Sequence, residues 1–362
     1  MLETATGLGL LLKQGVRPRR SVLFGSWDGE EYSFAGSTEW MEDIGIGRAG
    51  SGVACLNVDM AVHGEPPTFF AGGSPSLRRF LFEVAAAVKE PESGESVADA
   101  WMRTSSVERQ EFSYKSRYHA DRPPRLGPRT LQGDGPDFQY LGTGSDYTPF
   151  LHHAGVPSVD FMFDGNMSVF GSVYDSFTWV ERFGDPGFRY SKAIAQTWGI
   201  AALRLANCDA LPYCPSDTAR SVSEAAQQMS DHYDDVKLRE ALAGVDSVAS
   251  TWRETGSHWF NEISPLRDHV SQASLVRANE AIASAERACM SEGGIPGRPW
   301  FRNLLFAPRY DYSSQTLPAI REAAEIEDWE TAIEQSRRLE RHIQRASDQT
   351  EAASQALGAQ EE

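Results

Sequence analysis

The sequence predicts a two-part protein, in which an α/β region with a doubly wound, mostly parallel sheet is followed by an all-helical region. Strand-like and helical patterns alternate through about the first 210 residues, which is typical of a parallel sheet with helices on both faces. A proline-rich stretch, Leu211 to Pro215, then interrupts the chain, and residues 218–360 show no strand pattern. We therefore expect three parts, an α/β domain, a helical domain and a polar tail, at 1–215, 216–350 and 351–362.

Short apolar runs bounded by turn residues predict the strands of the α/β region, at 21–27, 54–59 and 158–163. Helical patterns alternate with these strands, at 8–13, 37–44, 76–90 and 188–206. The predicted helix at 76–90 has the clearest pattern, because its apolar side chains recur at helical spacing. Residues 91–138 are rich in Pro, Gly, Ser and charged side chains, and are predicted to be irregular.

The helical region is marked by two amphipathic patterns. Apolar and small residues recur at helical spacing in each, at Leu238, Leu242, Val245 and Val248, and at Ile333, Ser336, Leu339, Ile343 and Ala346. A glycine- and proline-rich segment, Gly293 to Trp300, separates the helices. Because such helices bury one face each, we expect a bundle, with a frayed polar tail after Ser347.

Composition and charge exclude several classes of protein. The 362-residue chain carries a net charge of −17, which argues against nucleic acid or an anionic membrane surface as a partner. No apolar run approaches the roughly 18–20 residues of a membrane-spanning helix, and the first residues make a poor signal peptide, so a cytoplasmic location is expected. Cys208 and Cys214 could form a local disulfide, or all four cysteines could be free.

Acidic side chains cluster near the ends of all three predicted strands. They are Asp28, Glu30 and Glu31, then Asp59, then Asp160 and Asp164. In doubly wound sheets, ligands bind outside the carboxyl ends of the strands. Adjacent carboxylates also repel each other, so a cation often lies between them. The residues alone leave two interpretations open, a carboxylate-lined crevice or a set of solvated turn acids.

Five stretches resemble motifs of the M28 zinc peptidases, in the branch that contains glutamate carboxypeptidase II and the transferrin receptor. They are RPRRSVLFGSWDGEEYSFAGSTEW (17–40), LNVD (56–59), LGTGSDYTPFLHHAGVPSVDF (141–161), SVYDSFTWVERFGDPGF (172–188) and GIPGRPWFRNLLFAPRYDY (294–312). The last resembles the helical dimerisation domain of the transferrin receptor. The resemblance covers nearly the whole chain in the same order. It implies a zinc-peptidase-like αβα fold and a homodimer formed through the helical domain.

The resemblance also assigns roles to individual residues. It implies that Glu30 is the general base, Glu31 a ligand of one zinc ion and Asp59 a ligand of a second. In such a site the metal lowers the pKa of a bound water molecule, and a nearby carboxylate takes its proton. The matching segments place Gly144, Ser145 and Tyr312 in the substrate-binding pocket.

The chain departs from the family pattern at the other metal ligands. A histidine and a bridging aspartate of the family would fall before Met1, and a downstream histidine matches Gly171. Each zinc ion would then keep one protein ligand, whereas a catalytic zinc site typically has three. Replacement ligands could come from other histidines, at His63, His152 or His153.

The predicted function is therefore that of a glutamate carboxypeptidase II-like metallo-exopeptidase homologue whose peptide hydrolysis is lost or impaired. The alternative is a non-catalytic, dimerising binding protein of the transferrin receptor type. Positions where glutamate-binding members carry cationic side chains hold Asp160, Met162 and Asp311, so binding of a C-terminal glutamate would be disfavoured. If the natural chain begins further upstream, a vacuolar, membrane-anchored or secreted location is expected instead.

Overall fold

The structure is a computed structural model that describes residues 1–44, 51–105, 135–166, 169–263, 270–309 and 312–358. Helices form most of it. The α-helices discussed below are α1 (Leu2–Lys13), α2 (Ala35–Ile44), α3 (Arg78–Ala85), α4 (Val97–Ser105), α5 (Arg189–Asn207), α6 (Pro215–His232), α7 (Val236–Ile263), α8 (Gln272–Arg287), α9 (Pro318–Glu325) and α10 (Trp329–Gly358). The strands are β1 (Cys55–Asn57), β2 (Val62–His63), β3 (Glu65–Gly73), β4 (Ser158–Asn166), β5 (Phe306–Pro308) and β6 (Ser314–Thr316).

Strand β4 is the centre of the larger sheet. It pairs in parallel with β1 and β2, with Cys55 opposite Ser158 and Val62 opposite Phe163, and antiparallel with β3. Its side chains Val159, Phe161 and Phe163 are fully buried. The third predicted strand is thus confirmed and extends further, while the second is shorter than expected. The described sheet is mixed, and it does not show the doubly wound arrangement.

The prediction of a strand at residues 21–27 is wrong. This segment carries no strand, and Leu23 is 71% exposed. A strand requires a neighbour that satisfies its backbone N–H and C=O groups, and no described strand pairs with this segment. Strand β3 was not predicted from the sequence. It contains Pro66-Pro67 and Gly72-Gly73, and both residue types are usually avoided in strands.

The predicted helix at 76–90 is shorter than expected. A 3₁₀ turn at Pro75–Leu77 leads into α3, which ends at Ala85. Its apolar face is buried as predicted, with Leu81 and Val84 inaccessible to solvent. Within the stretch predicted to be irregular, α4 is a regular helix, and the remainder at 106–134 lies outside the described residues.

The helical region forms a bundle, as predicted. Helix α7 packs against α6 and α10, and α8 packs against α10. Both predicted apolar faces point inward, and Leu242 and Ile343 are almost completely buried. Two expectations are corrected here. Strands β5 and β6 form a hairpin, too short to give an alternating pattern, and α10 continues as a helix through the predicted frayed tail, where Ala353 is fully buried.

The two regions share one hydrophobic core, which runs from β4 to the end of α10. At the junction, the indole N–H of Trp259 donates to the carbonyl oxygen of Tyr213 at 3.2 Å. All four cysteines are free thiols, so the alternative of a disulfide between Cys208 and Cys214 is ruled out. In the described ranges, no helix is both long enough and apolar enough to cross a lipid bilayer.

Candidate functional site

A tight turn presents the two adjacent glutamates. Glu30 opens a 3₁₀ turn that is preceded by Gly29 in the left-handed conformation, with φ of 69°. The turn closes onto α2 through two backbone hydrogen bonds, from Phe34 N to Glu30 O at 2.8 Å and from Gly36 N to Asp28 O at 3.0 Å. Gly36 is required there, because a Cβ atom would lie 2.4 Å from the Asp28 carbonyl oxygen. Glu30 is half-buried, and Glu31 is exposed.

Four carboxyl groups lie close enough to influence one another, and we call Glu30, Glu31, Asp59 and Asp146 the acidic cluster. Burial raises the pKa of Glu30, and the charges of Asp59, Glu31 and Asp146 raise it further. Partial burial is the main cause that raises the pKa of Asp59, and the charge of Glu31 raises it further. Asp146 behaves similarly, since burial and the charge of Asp59 both raise its pKa. The structure therefore brings together the three residues for which the sequence implied catalytic or metal-binding roles.

Hydrogen bonds hold the acidic cluster to the sheet and to α2. Ser37 Oγ donates to Asp146 Oδ1 at 2.5 Å. The buried Ser145 hydroxyl accepts a hydrogen bond from Asn57 Nδ2 at 2.9 Å and lowers the pKa of Asp59 by hydrogen bonding to its carboxylate. These hydrogen bonds favour the ionised forms of Asp146 and Asp59, and so they partly offset the pKa increases caused by burial and by neighbouring charges.

Asp160 lies beneath the acidic cluster, opposite Asn57 in the β1–β4 ladder. Asn57 Nδ2 donates to Asp160 Oδ1 at 2.9 Å. Burial is the main reason that the pKa of Asp160 is raised to about 7, and the charge of Asp59 contributes in the same direction. The two other predicted acids lie elsewhere. Asp28 accepts the N–H of Gly29 in its own turn, and Asp164 pairs with Thr68 across the sheet.

The predicted substrate-binding residues lie next to one another, beside the acidic cluster. A Cβ atom on Gly144 would lie 3.1 Å from the Tyr312 ring, so the two residues are in close contact. The N–H of Thr143 donates to the carbonyl oxygen of Tyr312 at 2.9 Å, and the Tyr312 side chain is 62% exposed. Ser145 follows directly and reaches the acidic cluster. Residue Asp311 lies outside the described residues.

Two of the three histidines suggested as replacement ligands are used in other contacts. The ring nitrogens of His152 face the carbonyl oxygens of Gly142 and Phe306, and burial lowers the pKa of this histidine to about 4. His153 stacks on Trp300 with a centroid distance of 4.9 Å. His63 lies on β2, and its side chain is outside the described part of the structure. Gly171 has φ of 70° and open space around it.

The donor set of the acidic cluster does not fit a catalytic zinc site on its own. Within the described residues, no group of three His, Cys, Asp or Glu side chains is arranged to hold a metal ion. Asp146 and Asn57 were not predicted to belong to the site. Asp146 directly follows Ser145 and could have been found by that adjacency, whereas Asn57 depends on the register of β1 against β4.

Fold and site together define a mixed α/β protein with a cluster of carboxyl groups beside its larger sheet and with a helical bundle in its second half. Residues 1–121 match the family model described as peptidase family M28. Residues 234–351 match the model of the transferrin receptor-like dimerisation domain. The two parts of the chain thus match the M28 peptidase model and the transferrin receptor-like dimerisation model in the order that the motifs predicted, which confirms the resemblance.

Curated relatives carry peptidase names. The chain is 31% identical over 360 residues to "Probable glutamate carboxypeptidase LAMP1" of Arabidopsis thaliana, which covers 96% of this chain and 47% of the relative. It is 30% identical to "Aminopeptidase NAALADL1" of Mus musculus, covering 89% of this chain and 42% of the relative. "Inactive zinc metalloprotease C354.09c" of Schizosaccharomyces pombe is 26% identical, covering 91% and 38%. The chain spans less than half the length of these relatives.

Proposed function

We propose that this chain is a self-associating homologue of the glutamate carboxypeptidase-like metallopeptidases, and that its own hydrolysis of peptide bonds is impaired. The observation that carries the proposal is the composition of the acidic cluster. It keeps Glu30, Glu31 and Asp59 close enough for their charges to raise the pKa of Glu30, yet it contains carboxylates and no imidazole among the described residues. Because a catalytic zinc typically takes three protein ligands, often including histidine, such a cluster holds zinc weakly.

Glu30 retains the properties of a proton acceptor. Its pKa is raised above the ordinary glutamate value by burial and by neighbouring charges, and a general base works best when its pKa approaches the working pH. The impairment is therefore located in metal binding, while the acid–base group is kept. The relative from Schizosaccharomyces pombe that is named inactive supports loss of activity within the family.

Self-association is supported by the helical region. The dimerisation-domain match runs from residue 234 to residue 351, which spans α7 to nearly the end of α10. These helices pack around fully buried side chains such as Trp252 and Ile343, so the domain does not depend on the acidic cluster for its core. The proposed partner is a second copy of the chain.

Zinc content and hydrolysis measured on the same preparation test this function. We expect less than one tightly held zinc ion per chain after dialysis, and peptide hydrolysis at background. Glu30→Gln serves as the matched variant, since it removes the base and keeps the shape of the side chain. Two ions per chain together with turnover that Glu30→Gln abolishes would contradict the proposal.

Gly171→His tests where the impairment lies. The space around Gly171 is open, although its φ of 70° makes any side chain strained there. Histidine tolerates this left-handed conformation better than most residues, at a cost of about 1–2 kcal/mol. We expect the variant to bind more zinc than the unmodified chain without regaining full hydrolysis. Unchanged zinc content would show that residue 171 does not reach the metal position.

A non-catalytic peptide-binding role is the second candidate, and one observation favours it. Gly144 and Tyr312 are in contact, and the adjacent Ser145 hydrogen-bonds to Asp59 of the acidic cluster, so this surface is anionic once the carboxyl groups ionise. Such a surface favours a cationic group over a C-terminal glutamate. Calorimetric titration with a peptide carrying a free amino terminus, compared with its acetylated form, distinguishes the two. Equal affinities would exclude recognition of the amino group.

A further inference from the structure

Arg321 on α9 is a buried arginine that forms no ion pair with the carboxylates of the described residues. It is 1% exposed. Its Nε donates to the carbonyl oxygen of Thr316 at 3.2 Å, and its Nη2 donates to Thr316 Oγ1 at 3.4 Å. Its Nη1 is buried and has no hydrogen-bond partner in the described part of the chain. Burial of an unpaired charge and of an unsatisfied donor are both costly, so this guanidinium calls for a further ligand.

Tyr233 supplies a second unsatisfied group in the same place. It follows α6, is 8% exposed, and packs edge-on against Trp329 with a centroid distance of 5.9 Å. Its hydroxyl oxygen is buried and likewise has no partner among the described residues. Burial raises the pKa of Tyr233, so the hydroxyl keeps its proton, and the opposing influence of Arg321 shows that the two side chains are close.

The neighbouring acids are already engaged with other arginines. Glu325 forms an ion pair with Arg309, and Glu322 forms an ion pair with Arg298. Among the described side chains, neither of these carboxylates forms an ion pair with Arg321. Burial lowers the pKa of Arg321, and the charge of Glu325 opposes this effect. A buried guanidinium without an ion-pair partner favours an anion over a neutral molecule.

We propose that Nη1 of Arg321 and the hydroxyl of Tyr233 bind one small monovalent anion of the halide type, with chloride as the physiological candidate. A guanidinium has donors and no acceptor, so it suits a ligand that only accepts hydrogen bonds. The anion would join the end of α6 to α9 and, through Thr316, to the β5–β6 hairpin. This site is separate from the acidic cluster and does not rest on the proposed function.

Bromide provides the probe, because it replaces chloride and gives an anomalous X-ray signal. Thermal unfolding of the full chain is measured in sodium bromide and in sodium gluconate at equal ionic strength, since gluconate is a much larger anion than bromide. We expect Tm to rise with bromide concentration. The added stability should follow the logarithm of one plus the ratio of bromide concentration to its dissociation constant, as for a ligand that binds only the folded state. Crystals grown with bromide should show an anomalous peak within hydrogen-bond distance of Arg321 Nη1 and Tyr233 Oη.

Three variants isolate the site. Tyr233→Phe keeps the ring against Trp329 and removes one donor, and we expect bromide affinity to fall about tenfold, as for one lost hydrogen bond to a charged group. Arg321→Met should abolish the bromide effect. Arg337→Met, on the exposed side of α10, is the matched control and should leave the effect unchanged.

Several results would overturn the proposal. Equal stabilisation by gluconate and bromide would indicate ionic strength alone. An identical bromide response in Tyr233→Phe and Arg337→Met would place binding elsewhere. Density without an anomalous signal at the site would identify a water molecule instead of an anion. If Arg321→Met does not fold, Tyr233→Phe and the anomalous map still decide the question.

Discussion

Asp160 shows how burial gives one side chain control over the pH dependence of stability. Burial raises the pKa of its carboxyl group from 3.8 to about 7 in the folded protein. Between these values the folded protein keeps a proton that the unfolded chain has already released. The contribution of this group to the free energy of unfolding therefore falls as the pH rises through that range.

Asp160→Asn is predicted to flatten the pH dependence of stability. Between pH 5 and pH 7, the unmodified protein should lose about 2–3 kcal/mol through this group, because each pKa unit corresponds to about 1.4 kcal/mol. The variant cannot ionise, so this loss should be absent. Urea unfolding at both pH values measures the difference, with Asp164→Asn on the same strand as the control. An unchanged slope in Asp160→Asn would show that another group controls it.

The residues of the candidate site divide into those that the sequence could reveal and those that it could not. Glu30, Glu31 and Asp59 stand in the motifs that carry the family resemblance, and that resemblance implied their roles. Asn57 and Ser37 act through hydrogen bonds to residues about a hundred positions away, so their role depends on strand register and helix placement. The roles assigned to Glu30, Glu31 and Asp59 stay predictions until the zinc and activity measurements are made.

At the scale of elements, helices were predicted better than strands. The faces of α3, α7 and α10 follow from apolar spacing within one segment, and all three are buried as predicted. Strands depend on their neighbours, which is why residues 21–27 failed as a strand despite an apolar run. The reverse error occurred at β3, whose prolines and glycines concealed an element that β4 pairs over most of its length.

Helix α10 gives a prediction for the part of the chain that was expected to fray. Thr350 is fully buried, and its hydroxyl accepts the indole N–H of Trp252 on α7 at 3.0 Å. Thr350→Val keeps the shape but leaves this N–H unsatisfied, so we predict a loss of about 1–3 kcal/mol in the free energy of unfolding.

Thr350→Ser is the matched control for α10, because it retains the hydroxyl and loses one methyl group. Denaturant unfolding followed by tryptophan fluorescence compares the two variants. If serine costs as much as valine, the hydrogen bond is not the source of the stability.

At the scale of the whole molecule, the charge of −17 opposes contact between two copies of the chain. We therefore predict that the proposed self-association strengthens as salt screens this repulsion. Sedimentation equilibrium in low and high sodium gluconate measures the dissociation constant, and gluconate avoids occupation of the proposed halide site. A dissociation constant that rises with salt would mean that attractive ion pairs dominate the interface.

The domain boundaries and the cytoplasmic location also stay predictions at this scale.

The contact between Gly144 and the Tyr312 ring has an evolutionary consequence. Gly144 belongs to the α/β region, whereas Tyr312 lies between β5 and β6 in the C-terminal part of the chain. Genetic exchange of the C-terminal part between homologues would therefore combine a Gly144 segment and a Tyr312 segment of different origin. Substitutions at these two positions are thus expected to change together among homologues.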